Sequence, residues 1–161
     1  MVNTAAEDFR ELHFRSGAEV MAEARKIINA EEGGTLRRTG NWTVGQTLGH
    51  LAVWMEYALD GYPKTMRPPW FVKAVVRIVM KKRMIKGPMR RGVKIPGVKG
   101  GTLGTDVMPT QEGYQRLERA WERLTSTDPA RVNPLLGKLT HEEWIALNLR
   151  HAELHLGFLK P

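Results

Sequence analysis

No cysteine occurs among the 161 residues of the chain. Disulfide bridges, thiolate metal ligands and cysteine nucleophiles are thereby excluded, and the composition is compatible with a reducing compartment. Long apolar runs are missing too. The greasiest stretch, WFVKAVVRIVM at 70–80, is broken by Lys73 and Arg77 and is too short to span a bilayer. The first residues, MVNTAAEDFRELHF, lack the basic start and apolar run of a signal peptide. Period-two alternation is scarce, and no Asn-Gly hairpin joins β-branched runs. These absences lead us to expect one soluble, cytoplasmic, all-α domain over 1–161.

One further absence is local. From Gly61 to Thr105 there is no Asp or Glu, while twelve Lys or Arg residues fall there. The whole formal excess of +8 originates in this segment, because the rest of the chain is net acidic.

What is present is helix signal. A first helix is expected from Ser16 to Glu32, with Val20, Ala24, Ile27 and Ile28 as its apolar stripe. A second opens at Thr43 on the capping-box pattern TVGQ and runs to about Asp60. A third spans Thr110 to Thr125, with Tyr114, Leu117, Trp121 and Leu124 on one side. The last opens at Thr140 on THEE and runs close to Phe158. Four such helices are enough for a four-helix bundle. Residues 61–109 separate the second from the third, far more than an antiparallel turn needs. A crossover of that length lays two helices parallel, and it holds a short amphipathic helix expected at Pro69 to Met84.

His151 and His155 lie four residues apart in LNLRHAELHLGFLKP, hence on one helical face. Trp144, Leu147, Asn148, Leu154 and Phe158 share that face, while Glu142, Glu143, Arg150, Glu153 and Lys160 gather opposite. His50 looks inward from the second helix together with Gln46, Thr47, Val53, Trp54 and Tyr57; Glu56 and Asp60 turn away. Three imidazoles from two helices suit a divalent metal with an open position. The alternative is an internal polar cluster, with His50 on a backbone carbonyl and the other two satisfied by Asn148 and water. Gln46, Thr47, Tyr57 and Asn148 are candidates to orient ligands or substrate, or are ordinary interior polar residues. His13 and His141 lie outside the constellation, the latter in the first turn of the last helix.

The motifs WTVGQTLGHLA at 42–52 and EEW before RHAELHLGFL resemble the DinB/YfiT-like superfamily of putative metalloenzymes, closest to a branch of unknown function. The resemblance spans most of the chain. It implies an up-down-down-up bundle and a divalent metal, zinc or nickel most often, with iron or manganese as further options. Its ligands carry over to His50, His151 and His155. Leu154 stands where some relatives have a further histidine, so no fourth ligand is implied. The resemblance also implies isomerase or S-transferase chemistry with a low-molecular-weight thiol. With no cysteine here, that thiol must be a cosubstrate. A metal-assisted hydrolase is the other enzymatic reading; no carboxylate on either histidine face offers a base, and the catalytic residues are unknown.

The basic segment admits other functions. Lys73, Arg77 and Lys81 recur every four residues beside Val72, Val76, Val79 and Met80, as in a helix lying on an anionic membrane. A basic lid recruiting a small anionic substrate through Arg90, Arg91 and Lys94 is an equal reading. No base-reading motif accompanies the charge, so specific nucleic-acid binding is not expected. A non-catalytic binding or dimerising module, including a homodimer, is the rival to an enzyme.

Overall fold

The computed structural model describes residues 7–63, 70–95 and 98–161, excepting the side chains of Val72, Lys73 and Lys99. The expected helix start at Pro69 and the cations Lys64 and Arg67 lie outside the described residues. The fold is mostly helical. Helix α1 (Gly17–Glu32) is capped by Ser16, whose hydroxyl accepts from the Glu19 amide. Helix α2 (Val44–Asp60) carries the full capping box anticipated at Thr43: its hydroxyl accepts from the Gln46 amide, and the Gln46 side chain accepts from the Thr43 amide.

Within the crossover, α3 (Trp70–Val75) passes through a π-helical turn, Val76–Met80, into α4 (Lys81–Lys86). A short 3-10 turn, Lys99–Gly101, precedes α5 (Thr110–Ser126). Helix α6 (His141–Leu156) has the second capping box, between Thr140 and Glu143.

Helices α2 and α5 run in the same direction. Near their N-terminal ends Gly45 meets Gly113 so closely that a methyl on Gly113 would lie 2.6 Å from the Gly45 carbonyl oxygen. Toward their C-terminal ends the Arg123 guanidinium donates to both oxygens of Asp60, at 2.7 and 3.1 Å. Between them Arg116 forks onto Glu56 at 2.7 and 2.9 Å. This is the parallel relation expected of the long connection. The core fills with Val20, Ala24 and Ile27 of α1, Leu48, Leu51 and Met55 of α2, Leu117, Trp121 and Leu124 of α5, and Trp144 and Leu156 of α6.

Two features were not anticipated and one expectation is corrected. Helix α6 ends at Leu156, close to Phe158 as expected, but Leu159–Lys160 then pairs antiparallel with Arg37–Arg38 as a two-residue sheet. Two-residue strands are too short to show period-two alternation in sequence. Glu153, on the face opposite the histidines, is buried as well: the segment before α1 folds over it, its carboxylate accepts from the Phe14 amide at 2.6 Å, and Arg150 pairs with it. Lys81 does not stand in a free basic stripe, since its ammonium meets Glu143 at 3.0 Å and the Lys138 carbonyl at 3.1 Å.

Candidate metal centre

The three inward histidines converge. The nitrogens offered by His50, His151 and His155 all lie within 4.8 Å of one another, a grouping that could hold a metal ion. Helix geometry explains why. One turn separates His151 from His155 on α6, and α2 crosses that face with His50, whose ring centroid lies 5.0 Å from the first and 4.6 Å from the second. His50 Nε2 faces His151 Nε2 at 3.2 Å. Two nitrogens bound to one tetrahedral zinc stand about 3.3 Å apart, given Zn–N bonds of about 2.0–2.1 Å. That pair stands at the spacing of two ligands on one ion, and the three-histidine donor set could hold a divalent metal.

Partners outside the trio fix its orientation. His50 Nδ1–H donates to the Leu103 carbonyl at 2.9 Å, leaving Nε2 with a lone pair toward the other rings. Leu103 belongs to the crossover, so the long connection itself sets a ligand's tautomer. Trp42 stacks on His155 with centroids 5.0 Å apart and planes at 16°, and also lies 4.7 Å from the His50 ring. Burial pushes the His50 imidazole down to about 4, against the opposing pull of its carbonyl bond. His151 and His155 are held well below the usual histidine range by burial first and then by repulsion from His50, to which His151 adds for His155. All three are neutral near pH 7, the form that offers a lone pair.

These rings line a cavity of about 730 Å³. Its wall is largely apolar: Trp42, Trp54 and Trp144, with Met80, Met84 and Met89 from the crossover. Thr47 and Asn148 also line it, but both have structural bonds. The Thr47 hydroxyl donates to the Thr43 carbonyl at 2.9 Å, and the Asn148 amide donates to the Trp144 carbonyl at 2.9 Å. Gln46 lies outside the wall and ties α2 to the crossover, donating to the Thr105 carbonyl at 3.1 Å. Tyr57 is outside it as well, packed on Trp54 and Tyr62. Burial first, and then the Asp106 charge, raise its pKa.

Arg90 and Lys94 line the cavity with their charges exposed at its rim. Arg91 does not: it donates to the Glu7 carbonyl at 3.0 Å and covers the face of Phe9. His141 bonds the Leu124 carbonyl at 2.6 Å and His13 is exposed, so both stay apart from the trio. Trp42 and Tyr62 are among the lining residues that escaped the sequence reading. Trp42 precedes the helix and has no place in its periodicity. Tyr62 follows it, and burial raises its pKa while Asn133 donates to its oxygen at 3.3 Å.

A family model described as protein of unknown function (DUF1569) matches residues 6–161. No curated protein and no solved structure is significantly similar to the chain. The chain belongs to that family, which lies in the DinB/YfiT-like superfamily.

Proposed function

From that membership we propose that the protein is a divalent-metal enzyme of the thiol S-transferase or hydrolase kind. His50, His151 and His155 hold the ion, zinc or nickel by preference. The observation that carries this reading is the convergence of three neutral imidazoles, with ligand nitrogens within 4.8 Å of one another, on the wall of a 730 Å³ cavity. When bound, the metal supplies Lewis acidity there, lowering the pKa of a thiol or a water. The chain's own residues do the rest. The Leu103 carbonyl keeps the His50 proton on Nδ1. Trp42 holds His155 by stacking, and the tryptophan and methionine wall excludes water from an apolar substrate body. Arg90 and Lys94 at the rim favour a substrate with an anionic end. The thiol, where one is used, is a small cosubstrate, because the chain has none. The same reading takes the four long helices as an up-down-down-up bundle, which the parallel contacts of α2 and α5 support.

The test is elemental analysis of untagged protein, beside His50→Ala and His155→Ala. We expect about one metal ion per chain in the parent and a large loss in both variants, with helical circular dichroism retained. A parent that takes up no zinc or nickel when supplied with it would sink the reading.

A further inference from the structure

The crossover helices present to solvent a second apolar face, besides the one on the cavity. Inward, Val76 and Met84 pack on the core, and Met80 and Met84 line the cavity. Outward stand Trp70 at 80% exposure, Phe71 at 56%, Val75 at 59%, Ile78 at 84% and Val79 at 68%. Phe71, Val75, Ile78 and Val79 follow the i, i+4, i+7, i+8 spacing of one helical face. A contiguous apolar stripe in water is unfavourable unless something covers it. Lys82 and Lys86 continue the same line one and two turns on, and both are exposed, as is Arg83 beside them.

We propose that this outer face docks on an anionic lipid bilayer. The argument is the pairing of apolar stripe and charge. Between Trp70 and Lys86 there are six Lys or Arg residues and no Asp or Glu, and the wider segment holds twelve. Aromatic and branched side chains enter the interface while flanking cations meet lipid phosphates, the arrangement of a helix lying in the membrane plane. No helix among the described residues is long and apolar enough to cross a membrane. A second copy of the chain fits this face poorly, because a two-fold contact would set its cations against themselves. Docking also brings the cavity wall formed by Met80 and Met84 to the lipid interface. The inference stands apart from the metal and does not depend on it.

Co-sedimentation of the full chain with phosphatidylcholine vesicles, with and without phosphatidylglycerol, tests it. Binding to the anionic vesicles is expected, roughly tenfold weaker on neutral ones and weakening with salt. The double change Ile78→Ser with Val79→Ser alters no charge and touches exposed positions. It should leave the thermal midpoint unchanged and weaken anionic-vesicle binding by roughly tenfold. Binding undiminished in that variant overturns the proposal, since charge alone would then account for it. So does an absence of vesicle binding, whether the chain stays monomeric, self-associates in a way the serine changes abolish, or captures an acidic protein instead.

Discussion

Helix α2 has two faces that obey different rules. Toward α5 it is packed to backbone contact: a methyl on Gly45 would lie 2.1 Å from the Met108 carbonyl oxygen, and Glu56 and Asp60 are locked by arginines. Toward α6 the same helix borders a cavity of about 730 Å³ and places a buried imidazole on its wall. Close packing is what makes the openness sustainable. A helix fixed along one side by glycine contact and ion pairs can leave the other side unfilled without collapsing onto it. Catalytic and binding geometry needs such a rigid support.

Acid should separate the two faces most. In chelator-treated protein the His50 pKa of about 4 lies below the unfolded value of about 6.5. Between those values the unfolded chain binds more protons, so stability rises with pH across this window. It is fully present above about 6.5, is lost progressively as pH falls toward about 4, and His50 costs nothing further below that. The size is up to about 3 kcal/mol. Urea unfolding at several pH values, parent against His50→Asn, reads the histidine share; identical slopes for the two proteins would break the assignment.

The packed face is broken next by Gly45→Ala. Alanine gains about 1 kcal/mol of helix propensity. The overlap with the Met108 carbonyl outweighs it, because backbone must move, and a net loss of about 2 kcal/mol is expected in the denaturant midpoint. An unchanged midpoint would mean that α2 is not in backbone contact with the Met108–Pro109 segment that leads into α5.

The smallest effect belongs to the cavity rim. Exposed Arg90→Gln with Lys94→Gln should change stability by less than about 0.5 kcal/mol. Binding of an apolar-bodied anion such as anilinonaphthalene sulfonate should weaken several-fold and lose most of its salt dependence. Unaltered affinity and salt dependence would remove these two residues from ligand recruitment.

The positions of the histidines on helices were legible because helical period and capping are local properties. Thr43 and Thr140 announced their boxes, and His151 and His155 had to share a face. His50 could be assigned an inward direction by the same arithmetic. Arg91 shows where the arithmetic stops: it sits between Arg90 and Lys94 in sequence, yet the crossover turns it onto Phe9. Which of the crossover's apolar residues face outward was hidden for a similar reason. Spacing identifies an amphipathic helix, but which face meets protein depends on how the connection is laid.

By itself, then, the sequence determined the helices, their caps, the net positive connection and the inward pair on α6, all of which follow from neighbours within a few residues. Only the tertiary structure decided that His50 meets His151 at 3.2 Å, and that Leu103, 53 residues away, holds its proton. It alone decided that Glu153 is buried, that Trp42 stacks on His155, and that one apolar face of the crossover looks outward. Each of these is a contact between segments distant in the chain. Such contacts depend on how whole elements fill space together, which no local period encodes.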